Sequence, residues 1–268
     1  MPHRGRILNR IPSRDTERDW THEQATAVIN GLVATPPPSC DLRKTGWAIG
    51  DQGDTGSCVG WGTADGVLRY QFAMAGRWPL TSMLSPRFLW MASKETDQFH
   101  NHPSSFIEEE GTSLKAACKV ATKYGVVPTS VLPMSGALYR GDGNTFYAQA
   151  AQYRARSYHN LQPFGVLDPF ANYKRWLSTV GPVLIGCSVD ATWDACGPAN
   201  GGVLGVFHPS TVRGGHCVAL VGYRTEPNNQ TTFIVRNSWG TSWGDKGFAY
   251  AASEYAAASF SEAYGLVV

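Results

Sequence analysis

The run Phe233-Ile234-Val235-Arg236-Asn237-Ser238-Trp239-Gly240-Thr241-Ser242-Trp243-Gly244 governs how the rest of the chain is read. Its opening residues are apolar and β-prone, so they predict a strand that stops where Asn237 begins a loop punctuated by Gly240 and Gly244. A second run, Gly214-Gly215-His216-Cys217-Val218-Ala219-Leu220-Val221-Gly222-Tyr223, sends a histidine into an apolar strand directly after two glycines that admit a neighbouring backbone. A third, Gly56-Ser57-Cys58, is a glycine-rich turn before a helical stretch. It puts a thiol at a helix N-terminus, where the dipole favours thiolate. Taken singly, each is ordinary: a lone cysteine is usually a small buried hydrophobe, and a lone His or Asn a satisfied core group. All three in one chain are hard to explain as packing.

Around these runs the chain divides. Residues 1–39 begin polar and charged, carry one amphipathic stretch at 23–33 and end in Pro36-Pro37-Pro38, a stiff extended spacer. They read as an arm or short prosegment joined to a domain over residues 40–268. Helical spacing follows at 57–72 despite Gly60, Gly62 and Gly66, which demand tertiary support. Clearer helices are expected at 85–94 and at 112–124, the latter capped by Thr112 or Ser113 and ended by Gly125. Short β-prone runs come later, at 183–189, 216–223, 231–237 and 247–251, with residues 227–230 as a hairpin connection. Helices first and strands later imply segregated layers, hence an α+β fold.

Composition excludes several classes. The 268 residues are 43% hydrophobic, 12% aromatic and only 16% charged, which is incompatible with a disordered chain. No apolar run approaches the roughly 18 residues of a membrane span. Basic and acidic residues nearly balance, 23 against 21, and Arg4, Arg6, Arg10, Arg14 and Arg18 are interleaved with acids, so no nucleic-acid stripe is expected. The N-terminus leads into no apolar segment of the kind a secretory signal needs. The six cysteines are scattered without C-x-x-C spacing, and buried, reduced thiols are expected, with a Cys187–Cys196 bridge left open.

Gln52 with Gly56-Ser57-Cys58, then Gly215-His216, then Asn237-Ser238-Trp239-Gly240 with Trp243-Gly244 resembles the papain-like cysteine peptidases, in a style similar to their bacterial branch. His216 and Asn237 lie 158 and 179 residues after Cys58, slightly beyond the usual separation. The resemblance implies a two-lobe fold, with a helical left lobe at about 50–135 and a β-barrel-like right lobe at about 150–268. It implies Cys58 as nucleophile paired with His216, Gln52 and the Cys58 N–H as oxyanion donors, and Asn237 orienting the imidazole. Trp239 would cover that bond on the leaving-group side, and Gly111 would stand in the wall that binds substrate backbone. Family habit points to a bulky apolar residue two positions before the cut. The expected partner is a peptide or protein substrate, handled by a monomer with no cofactor.

Departures are visible. Val59 follows the nucleophile where the family has Trp, Thr55 stands where it has a disulfide cysteine, and Gly215 replaces a polar residue before the histidine. The arm, from about Ile11 to Val33, either crosses the cleft and inhibits or packs on the back of a lobe. Three rival readings are a same-fold transpeptidase or amide transferase, a peptide-binding pseudopeptidase, and a metal protein using His100, His102 and Glu108 to Glu110. All four catalytic groups are present, which argues against the pseudopeptidase. His-x-His in a polar loop is usually plain surface.

Overall fold

Apolar strands that alternate poorly and run nearly continuously, such as Val183-Leu184-Ile185, must be covered on both faces. The computed structural model, which describes residues 5–26, 29, 35–96, 110–136, 141–228 and 230–268, meets that need by inserting a sheet between helices. The arm contributes α1 (His22–Thr26), and the extended Pro36-Pro37-Pro38 segment leads into β1 (Ser39–Asp41). Helix α2 (Cys58–Trp61) continues without a break through a π-helical stretch, Gly62–Leu68, into α3 (Arg69–Met74). Then come α4 (Pro86–Thr96), α5 (Leu114–Lys123) and α6 (Gly143–Ala151). The second half adds β2 (Ser157–Asn160), α7 (Pro169–Thr179), β3 (Val183–Val189), α8 (Thr192–Ala195), β4 (Val203–Leu204), β5 (Gly214–Thr225), β6 (Thr231–Arg236), β7 (Phe248–Ala252), α9 (Ser253–Ser259) and β8 (Phe260–Val267).

The fold is α+β, as expected. Among the described residues the strands form one sheet in the order β2-β8-β3-β5-β6-β7-β4, with β1 added to β5. The right lobe is therefore not a barrel: β2 and β4 end the path without pairing to each other. Irregular pairing between Gly186 and Cys187, and again between Leu220 and Gly222, bends the sheet but does not close it. The terminal strand β8 gave no sequence signal strong enough to be expected, yet it lies inside the sheet between β2 and β3.

The three glycines of the central helix have definite neighbours. A Cβ on Gly60 would lie 2.3 Å from the Pro86 carbonyl oxygen, one on Gly62 2.7 Å from Cys217 Sγ, and one on Gly66 2.7 Å from the Ala219 Cβ. The helix is thus clamped between α4 and β5, which offsets its weak intrinsic propensity. Two apolar clusters result, one joining α2 to α5 with the sheet, the other filling the space around α7, α8 and the opposite sheet face.

Candidate active site

Strand pairing sets the first half of the site. His216 enters β5 opposite Cys187 of β3, while β6, on the other side of β5, ends at Arg236. Asn237 follows at once, and its Oδ1 lies 2.8 Å from His216 Nε2. The same oxygen accepts the Ser238 N–H at 2.8 Å, which fixes the amide so that the ring nitrogen must donate. Three tryptophans enclose this bond. The His216 ring centroid is 5.0 Å from Trp239 and 5.5 Å from Trp193, and Trp193 stacks on Trp243 at 5.1 Å. Trp193 carried no sequence signal, because nothing near it marks a strand end or a motif.

The second half is built by the turn before α2. Gln52 is buried, and its backbone N–H donates to the Ser238 carbonyl at 2.8 Å, so it is tied to the loop that carries Asn237. Its Oε1 accepts from Ser238 Oγ at 2.8 Å and its Nε2 donates to the Thr55 carbonyl at 2.9 Å. One amide hydrogen of Nε2 stays available to a further acceptor. Thr55 also donates from Oγ1 to the Gln52 carbonyl at 2.7 Å, so the residue that replaces the family's cysteine braces Gln52. Cys58 opens α2, wholly buried, and all six cysteines are unbridged, Cys187 and Cys196 included.

Beneath both halves lies a buried charge network. Asp65, in the π-helical stretch, accepts from Arg69 at 2.6 Å and from Arg236 at 2.5 Å, and the Arg236 guanidinium sits 4.4 Å from the Trp47 ring centroid. One carboxylate with two guanidiniums thus binds the helix that begins at Cys58 to the strand that delivers Asn237.

The arm occupies the space between the halves. Arg10 N–H donates to the Gly215 carbonyl at 3.0 Å and Ile11 N–H to the Thr112 carbonyl at 3.1 Å. A Cβ on Gly111 would lie 1.6 Å from the Asn9 carbonyl oxygen, and one on Gly214 2.5 Å from that of Leu8. Arg6 pairs with Asp51 at 2.6 Å near Trp239. The crossing segment is therefore 6–11, upstream of nearly all of the stretch from Ile11 to Val33 expected from sequence; residues 27, 28 and 30–34 of that stretch lie outside the described residues. Gly111 lies against the arm at Asn9, and the carbonyl that accepts from the arm belongs to Thr112. His100, His102, Glu108 and Glu109 lie outside the described residues.

Beneath this cover the thiol and imidazole are both neutral. Burial pushes Cys58 up to about 11, against the opposing pull of the Cys217 N–H and the Arg10 charge. Burial also drives His216 down to about 4, with the Asn237 bond resisting and Arg10 and Arg6 adding to the shift. His216 Nδ1 has no hydrogen-bond partner, so no bond joins it to Cys58 in this state.

A buried thiol opening a helix, a histidine oriented by an asparagine, and a buried glutamine amide in the turn before that helix define the cysteine peptidase class. The family model described as papain family cysteine protease matches residues 36–263, and the chain belongs to that family. Curated relatives include a cathepsin L-like peptidase of Aedes aegypti, 25% identical over 90% of this chain and 66% of the relative, and mouse cathepsin K, 27% identical over 89% and 64%. The chain thus spans just under two thirds of the length of these relatives. Among solved structures, xylellain, a cysteine protease from Xylella fastidiosa, aligns with a TM-score of 0.75 at 20% identity over 98% of this chain and 97% of that one. Digestive procathepsin L 3 of Tenebrio molitor aligns at 0.65 and 20% identity over 98% and 77%. These likenesses establish the papain-like fold.

Proposed function

We propose that this chain is a cysteine endopeptidase that hydrolyses peptide bonds through a covalent thioester, and that its own arm holds it inactive. The observation that carries the first part is the His216–Asn237 bond in a dry tryptophan cage, on the same sheet that packs against the helix of Cys58. With the arm displaced, Cys58 and His216 charge one another as thiolate and imidazolium. The thiolate attacks the scissile carbonyl, and the oxyanion takes hydrogen bonds from the Cys58 N–H and the Gln52 side chain. Imidazolium gives its proton to the departing amine, and neutral His216 then draws a proton from water that cleaves the thioester. Asn237 holds the ring in register throughout, and Trp239 excludes water from that bond on the leaving-group side.

Arm direction supports the second part. Arg6 sits on the leaving-group side, beside Asp51 and Trp239, while Asn9 and Ile11 lie along the wall at Gly111 to Ser113. The arm runs opposite to a substrate, so its carbonyls are not presented to the oxyanion donors. The peptidase unit is taken as residues 40–268, with lobes at about 50–135 and 150–268. An affinity with the bacterial branch is supported by the near full-length fold match to xylellain and by Thr55 in place of a disulfide cysteine.

The test is to treat the full chain with an epoxysuccinyl thiol inhibitor, map the adduct by mass spectrometry and follow hydrolysis of a denatured protein. Slow adduct formation confined to Cys58 and slow endoproteolysis are expected of the full chain, and both should accelerate once residues 1–39 are removed. Labelling of Cys58 without hydrolysis would favour the pseudopeptidase, and capture of the acyl group by added amines in preference to water would favour the transferase.

A further inference from the structure

We infer that Glu262 sets the side-chain preference of this cleft, and that it selects arginine, and lysine more weakly, on the acyl side of the cut. The inference rests on the peptidase reading above and replaces the bulky apolar preference implied by family resemblance.

Glu262 is carried into the cleft by β8, where it stands opposite Gly186 of β3. Its carboxylate is almost enclosed, with a side-chain exposure of 13%. The partner is Arg10 of the arm, whose backbone is bonded to Gly215, the residue before the catalytic histidine. Arg10 Nη1 pairs with Glu262 Oε1, and Nη2 donates to Ser261 Oγ at 3.0 Å. Glu262 Oε1 also accepts the Ser13 N–H at 3.1 Å, whereas Oε2 has no partner. Gly186 leaves the space that the guanidinium uses: a Cβ there would stand 3.0 Å from Arg10 Cδ and Nη1. Beside the pair remains a cavity of about 340 Å³, bordered by Ser13, Gln162, Phe164 and Tyr264.

Every partner that Glu262 has among these contacts belongs to the arm or depends on it. Displacing the arm removes both the guanidinium and the Ser13 N–H and leaves the carboxylate without a cation. An apolar substrate side chain would complete the burial of that charge uncompensated, whereas a basic one restores the pair. The forked contact to Glu262 and Ser261 matches a planar guanidinium better than an ammonium. The arm thus carries at Arg10 the side chain that the pocket is built to take, presented on a backbone running the wrong way for cleavage.

The test uses the full chain and three dipeptidyl fluoromethyl ketones that differ only at the second residue from the electrophile: Arg, Leu or Glu. Labelling of Cys58 is timed by mass spectrometry in the wild type, in Arg10→Ala, and in Glu262→Gln, which keeps the shape and removes the charge. The expected result is labelling by the Arg probe at least ~10-fold faster than by the Leu probe. In Glu262→Gln that advantage should fall by about 10²-fold, with the Leu probe unchanged or faster. Equal rates for the Arg and Leu probes in the wild type and Arg10→Ala, or an Arg preference that survives Glu262→Gln, would overturn the inference. Arg-selective labelling without hydrolysis of matching peptides would leave the pocket assignment standing and overturn the peptidase reading. Hydrolysis without Arg selectivity would do the reverse. No labelling of Cys58 by any probe in any form would overturn both.

Discussion

His216 and Cys58 stand on opposite walls of one cleft and are prepared in opposite ways. The histidine side is finished: Asn237 fixes the ring, three tryptophans exclude water, and each contact comes from the sheet, its loops or the short helix α8. The cysteine side is silenced. Its thiol is buried and neutral, His216 Nδ1 lacks a partner, and the charge closest to playing the imidazolium's part is the Arg10 guanidinium of the arm. The Arg10 charge pulls the pKa of Cys58 and of His216 down alike, so it supports thiolate while opposing the imidazolium that should accompany it. On the proposed reading, orientation is permanent in this molecule, whereas ionisation is conditional on the arm.

The largest effects should come from removing the finished side. His216→Ala is expected to lower kcat by about 10⁴-fold or more, because base, acid and charge partner vanish together. A loss below tenfold, measured on the folded variant with a peptide substrate, would mean that His216 is not the base. Gln52→Ala should cost about 10²-fold in kcat by removing one oxyanion donor. It should leave the rate of Cys58 alkylation by iodoacetamide nearly unchanged, since no oxyanion forms in that reaction. A matching fall in both rates would show that Gln52 acts by bracing the turn through Ser238 and Thr55.

Much of this asymmetry is legible in the sequence. Gln52, Cys58, His216 and Asn237 were visible because each stands at a boundary that local chemistry marks: a glycine turn before a helix, paired glycines before a strand, a polar residue where an apolar run stops. Strand β3 was read at its full extent because Val183 to Val189 is apolar almost throughout. What escaped was non-local. Glu262 sits in Ser-Phe-Ser-Glu-Ala-Tyr, which follows a helix with no turn signal, and only pairing of β8 with β3 brings it into the cleft. The expected barrel failed because closure depends on whether β2 and β4 meet, which no alternation of residues encodes. Amphipathic spacing marks 23–33 of the arm, whereas the segment that crosses, Leu8 to Ile11, is held by backbone hydrogen bonds and glycine cradles that carry no side-chain pattern.

The conditional side can be tested where the arm is anchored, away from the catalytic groups. Asp19 accepts from the Lys115 ammonium at 2.8 Å and from the Tyr264 hydroxyl at 2.8 Å, with both charged side chains more than nine-tenths buried. Asp19→Asn keeps the shape but strands the ammonium, a change worth about 3 kcal/mol for a buried pair. Cys58 alkylation should accelerate by up to about 10²-fold as the arm is released more often. An unchanged rate in the folded variant would show that segment 6–11 holds the cleft without this anchor.

The smallest effect concerns pH. Past Asp19 the arm lies along β2: the Asn160 N–H donates to the Trp20 carbonyl at 2.7 Å, and the Trp20 ring lies 5.9 Å from that of His159. Burial lowers both His22 and His159 from their ordinary 6.5, with Arg175 adding to the effect on His22 and the Thr21 backbone opposing it on His159. A depressed histidine favours the docked arm fully above 6.5, where it is neutral in either state. That contribution is lost as pH falls below 6.5, because the released form takes up protons first. Acidification should therefore open the cleft. Since thiol chemistry itself slows in acid, the measurable quantity is the alkylation rate of wild type relative to His159→Gln, which divides out the common chemistry. Between about pH 7.5 and 5.5 that ratio should rise, by no more than about tenfold for one group. A ratio that stays flat would remove His159 from the control of the arm and leave the Asp19 anchor and the Arg10–Glu262 pair as its fastenings.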